Sequence, residues 1–63
     1  MREIIIIATV EYVDGSVIFK TYRQEGGSIR QFKTRIRRTL AKDSNVAWAG
    51  LGNALVINHY GAH

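Results

Sequence analysis

The run from Ile4 to Val13 is dominated by isoleucine, valine and threonine, and it leads directly into Asp14-Gly15. β-branched side chains pack well on a pleated surface and lose rotamer freedom in a helix, so the run reads as a strand. Asp-Gly between two such stretches signals a hairpin, because the favoured two-residue type I′ turn needs positive φ at both central positions. The second strand is expected over Ser16 to Arg23. No other feature limits the fold as tightly, since a hairpin is not stable until something covers its apolar face.

A two-residue turn sets Tyr12 opposite Val17 and Val10 opposite Phe19. Ile4, Ile6, Ala8, Val10, Tyr12, Val17, Phe19 and Thr21 then share the face expected to form the core. Ile5, Ile7, Thr9, Glu11, Val13, Ile18, Lys20 and Tyr22 share the other, which is more apolar than a solvated face should be. A three-residue turn with a glycine bulge is the alternative, and it shifts the pairing by one residue.

A helix should supply the cover. Gly26-Gly27 precedes Ser28-Ile29-Arg30-Gln31, which fits a capping box: the serine hydroxyl accepts from the Gln31 amide while the glutamine side chain reaches back. From about Ile29 to about Lys42, Ile29, Phe32, Ile36 and Leu40 recur at helical spacing and make one narrow apolar stripe. Asp43-Ser44-Asn45 reads as a loop. Val46 to Ala49 and Ala54 to Tyr60 read as two more short strands with Gly50-Leu51-Gly52-Asn53 turning between them. The expected class is α+β: a β-hairpin, one basic amphipathic α-helix and a C-terminal β-hairpin (ββαββ). These form one antiparallel or mixed sheet with the helix packed on one face.

With 63 residues the chain makes a single domain over residues 1–63. A chain this short buries only about 60% of the surface that its unfolded form exposes. Disulfides cannot compensate, because there is no cysteine. Good packing or a second subunit must do so. The missing cysteine also removes thiolate chemistry and thiolate-bound zinc, and it leans towards the cytosol. His59 and His63 are four apart, a spacing that pairs ligands only on a helix, and they fall on a strand end and a tail. Ser28 has a sufficient role as a cap. Glu11 and Glu25 have no nucleophile or pocket to serve. The two glycines of Gly50-Leu51-Gly52-Asn53 lack the lysine and following helix of a phosphate loop. No catalytic residue, metal site or cofactor is therefore expected. Ile4 to Val10 is too short to span a bilayer and is flanked by Glu3 and Glu11, so a soluble cytoplasmic protein with no membrane partner is expected. With Met1 at its start, the chain reads as a complete small gene product.

Charge is where the sequence departs from an ordinary domain. The net charge is +4, and six of the nine basic residues lie in the expected helix: Arg30, Lys33, Arg35, Arg37, Arg38 and Lys42. No acidic residue occurs between Ser28 and Lys42. Solvated helices usually mix signs, because glutamate–lysine pairs at i,i+4 stabilise them. Here Lys33–Arg37 and Arg38–Lys42 are like-charge pairs at that spacing, each costing a few tenths of a kcal/mol. An arrangement that costs local stability suggests a counter-charge in the working state. Arginine forks fit phosphate oxygens, and counterion release supplies sequence-independent affinity.

The expected function is thus a small non-enzymatic binding module whose helix engages an acidic partner, foremost the phosphate backbone of nucleic acid. The alternative is a protein-interaction inhibitor or adaptor that docks on an acidic surface of a nucleic-acid-processing enzyme. In size, charge and architecture the chain resembles small phage-encoded host-takeover and anti-defence proteins, a resemblance of type that rests on no motif. Ile5, Ile7, Tyr22, Trp48 and Tyr60 are candidate interface residues, with core as the competing reading for Trp48 and Tyr60. Ile5, Ile7 and Tyr22 cannot all be covered by the one helix, so either the C-terminal segment folds over them or another chain does, and a homodimer is expected.

Overall fold

The computed structural model describes residues 2–58. Five elements follow one another: β1 (Arg2–Tyr12), β2 (Val17–Glu25), α1 (Ile29–Ala41), β3 (Val46–Leu51) and β4 (Leu55–Asn58). They make one four-stranded sheet and one helix, an α+β domain. Every pairing is antiparallel.

β1 lies at the centre. Its alternate residues Ile4, Ile6, Ala8 and Val10 are fully buried, as a period-two strand with one covered face requires. They meet Phe32, Ile36 and Leu40 of α1, which are also buried. These seven side chains form the core, with Tyr12, Tyr22, Ile29, Val46, Ala49, Leu51 and Ala54 packed around them. The helix begins where expected, because the Ser28 hydroxyl accepts from the Gln31 amide at 3.3 Å. It ends one residue before Lys42, whose own amide donates back to Arg38.

The connection between β1 and β2 differs from the two-residue turn. The Gly15 amide donates to the Tyr12 carbonyl, and the Tyr12 amide donates to the Ser16 carbonyl. Val13, Asp14 and Gly15 thus form a three-residue loop, with Gly15 at φ 91°. A type I′ turn would force positive φ on Asp14 as well. The observed loop leaves that conformation to glycine alone, the residue that adopts it without steric cost. The Asp14 carboxylate instead accepts from both the amide and the hydroxyl of Ser16, at 2.9 and 2.6 Å.

One extra loop residue moves every side chain of β2 to the other face. Val10 now faces Ile18, Ala8 faces Lys20 and Ile6 faces Tyr22. Tyr22 therefore packs against the core and leaves the candidate interface. Val17, Phe19 and Thr21, expected in the core, stand on the uncovered face opposite Glu11, Thr9 and Ile7. Val13 sits in the turn rather than in a strand.

The C-terminal hairpin is also overturned. β3 and β4 do not pair with each other. Both pair with β1 on the edge away from β2, β3 along Ala8 to Tyr12 and β4 along Arg2 to Ile5. Residues 46–58 behave as one interrupted strand running back along the whole of β1. Gly50 and Leu51, expected in a turn, belong to β3, and the Gly52 amide bonds the Ile7 carbonyl at 2.9 Å. A folded-back hairpin would have left half of that edge of β1 without backbone partners, which a central strand does not tolerate. Residues are absorbed by irregularities, first between Glu11 and Tyr12, where the register skips Ala47, and again across residues 52–54.

Because β2 and β3 are each antiparallel to β1 and lie on opposite sides of it, they run parallel to one another. α1 is the crossover between them. That position holds it across one face of the sheet and leaves the opposite face bare.

Candidate nucleic-acid interface and an open apolar face

The helix presents its cations because its apolar stripe faces the sheet. Phe32, Ile36 and Leu40 point inward, and the remaining positions of α1 must point to solvent. Arg30, Arg35, Arg37, Arg38 and Lys42 are exposed, and Lys33, beside the apolar stripe, is half-buried. Thr34 and Thr39 donate to the carbonyls four residues back, which holds their hydroxyls against the helix backbone. Among the described residues none of the six cations forms an ion pair. The Arg35 guanidinium lies 5.8 Å from the centroid of the Phe32 ring.

The sheet sorts charge by face more completely than the helix alone. Lys20, set opposite Ala8, projects on the helix side. Arg2 shares the parity of Ile4 and Ile6, and its guanidinium bonds the Gly27 carbonyl just before α1. Eight of the nine basic residues therefore lie on the helix side. Arg23 is the exception, and it stands 3.7 Å from Glu3. Glu3, Glu11 and Glu25 all lie on the opposite face. Asp14 and Asp43 sit in turns, where each carboxylate accepts a backbone amide. Hydrogen bonds from the Ser16 hydroxyl, and secondarily from its amide, hold the Asp14 carboxyl below its ordinary range. Lys20 was missed from the sequence because its side depends on the loop length between β1 and β2.

The bare face carries Ile5, Ile7 and Thr9 of β1, Val17, Phe19 and Thr21 of β2, Trp48 of β3, and Leu55 and Ile57 of β4. Ile5 and Ile7 stand where the sequence put them. Trp48 is not a core residue: it is 57% exposed, opposite Glu11. Its indole lies over Gly50, where an added Cβ would come within 2.7 Å of the ring. Phe19 is 73% exposed. Tyr60, His59 and His63 fall outside the described residues.

Among the described residues no pocket opens, and no three histidine, cysteine or acidic groups come together as metal ligands. Among them, too, no helix is long and apolar enough to cross a membrane. The chemistry on offer is a cationic convex surface on one side and an apolar sheet on the other. Compared with models of known protein families, with curated proteins and with solved structures, the chain matches none of them.

Proposed function

We propose that the protein is a non-enzymatic nucleic-acid-binding module that grips phosphates with the outer surface of α1. The observation that carries this reading is the segregation of charge. Among the described residues the five cations of α1 and Lys42 at its C-cap form no ion pair, Arg2 and Lys20 stand on the same side, and the strand carboxylates are on the other. Arg30 to Lys42 spans about 18 Å of helix axis, a length over which duplex DNA carries about ten negative charges. Six cations neutralise roughly half of them. Stacking on bases is not part of this mode, because the one aromatic residue of α1, Phe32, is buried. Affinity comes from phosphate contacts and counterion release, so it is independent of base sequence and steep in salt.

The test is duplex binding by fluorescence anisotropy between about 50 and 200 mM salt. Wild type should give a log–log slope near −5, following roughly −0.9 per phosphate neutralised. Reversing Lys33 and Arg37 to glutamate should abolish measurable binding and leave the helical circular dichroism intact, since neither side chain belongs to the buried stripe of Phe32, Ile36 and Leu40. Unchanged affinity in that variant, with the fold preserved, would mean that the cationic surface is only solvated. Wild type that ignores duplexes yet captures an acidic protein from nuclease-treated lysate would favour the inhibitor or adaptor reading, for which the exposed Phe19 and Trp48 are suited anchors.

A further inference from the structure

The bare face of the sheet has a size and a charge layout that fit a second copy of the same chain. Ile7, Val17, Phe19, Trp48, Leu55 and Ile57 are all large, apolar and more than two-fifths exposed. Eleven residues of β1 extend about 36 Å, and three strand widths span about 14 Å. The flat area is therefore about 500 Å² per chain, or about 1,000 Å² for two chains before side-chain relief is counted, which is the size at which a specific interface begins. The apolar part of this face is comparable to the largest patch that a soluble monomer carries, and a patch of that size often marks an interaction site. Its charges lie at the periphery. Glu3 and Glu25 stand at one end with Arg23 on the edge strand beside them, Glu11 stands at the other, and the middle, around Ile7, Thr9 and Thr21, carries none. A centre without charges inside a charged rim is the layout of stable protein interfaces.

We propose that two copies pack open face to open face as a two-fold dimer, and that the dimer thereby joins two separate nucleic-acid duplexes. The geometry leaves little choice once the faces meet. The layers then run helix, sheet, sheet, helix at about 10 Å per step, so the two α1 helices lie about 30 Å apart on opposite outer surfaces. Their cations point away from each other and cannot share one duplex side by side. Each protomer grips its own duplex, and the joined sheets are the link. The dimer itself depends only on the apolar face. The bridging role rests in addition on the phosphate-binding reading of α1.

The experiment has two arms, both with the full chain. Sedimentation without nucleic acid, at micromolar and higher concentrations, should show a dimer. Phe19→Glu and, separately, Trp48→Glu should each shift the protein to monomer and weaken association at least ten-fold, with the circular dichroism unchanged because both side chains are exposed. The sole tryptophan reports the same event, its emission moving to the blue on association and to the red on dilution. In the second arm, a duplex fixed to beads is tested for capture of a free labelled duplex. Wild type should capture it. Phe19→Glu should keep its affinity for a single duplex within about two-fold, as expected of a distant site, and lose capture. Monomeric wild type at every concentration would overturn the dimer, and a dimer that survives both substitutions would place the contact elsewhere, for instance on the open edge of β2. Dimerisation without any duplex binding would overturn bridging and the phosphate reading while leaving the dimer. Full capture by a monomeric variant would overturn bridging alone.

Discussion

Ile6 and Ile7 are chemically identical neighbours, and the fold assigns them opposite fates. Ile6 is fully buried under α1, whereas Ile7 is 45% exposed on the bare face. Replacing either with alanine removes the same three carbons. At about 0.8 kcal/mol per buried methylene the transfer loss at Ile6 is about 2.4 kcal/mol, and the cavity left among rigid neighbours raises it to about 3–4 kcal/mol. At Ile7 just over half of the side chain is covered, and solvent fills the space, so the loss is about 1 kcal/mol. A domain of 63 residues has a total stability of about 3–9 kcal/mol, so Ile6→Ala takes a large share and Ile7→Ala a small one. Urea unfolding followed by circular dichroism at submicromolar concentration measures both without contribution from association. With a slope near 1 kcal/mol/M, Ile6→Ala should lower the midpoint by about 3 M or leave the chain unfolded, and Ile7→Ala by about 1 M. Raising the concentration should widen the deficit of Ile7→Ala, because association covers that side chain. Equal losses at the two positions under dilute conditions would refute the assignment of faces and, with it, the open surface.

Two further substitutions test the local structure. Ser28→Ala removes the hydroxyl that accepts from Gln31 and should cost about 1 kcal/mol in the same urea assay, with amide exchange quickening in the first turn of α1. The lowered Asp14 carboxyl stabilises the folded hairpin when ionised, so its contribution is complete above the ordinary aspartate range and is lost as pH falls below about 4. Ser16→Ala deletes the main hydrogen bond responsible, so NMR titration should find the Asp14 pKa risen towards its ordinary value and the acid-induced loosening of the turn reduced.

Much of the candidate site was legible because it is local. The spacing of Phe32, Ile36 and Leu40, the cap at Ser28 and the run of cations are all contained within one helix. Helical periodicity carries the cations outward whatever the rest of the chain does. Phe19 and Lys20 were placed on the wrong faces for a common reason. The side of a strand residue is a question of parity, and parity depends on how many residues the neighbouring loop or bulge absorbs. Asp14-Gly15 suits both a two-residue and a three-residue loop, and only the cost of positive φ at Asp14 separates them. The glycines at 50 and 52 resemble a turn in sequence, but they lie along the edge of β1, where Gly52 bonds Ile7.

The sequence by itself determined the elements: a β-branched run broken at Asp14-Gly15, a capped amphipathic helix, more strand after it, and six cations that had to face solvent. Each of these depends on interactions within a few residues, which the order of side chains specifies directly. Tertiary structure alone decided the register of β2, the laying of residues 46–58 along β1 in place of a hairpin, and hence the open face built from Phe19, Trp48 and Leu55. Those outcomes turn on long-range pairing, in which a single residue gained or lost in a loop inverts a whole strand. The need to satisfy both edges of a buried central strand outweighs the local preference of any four residues for a turn.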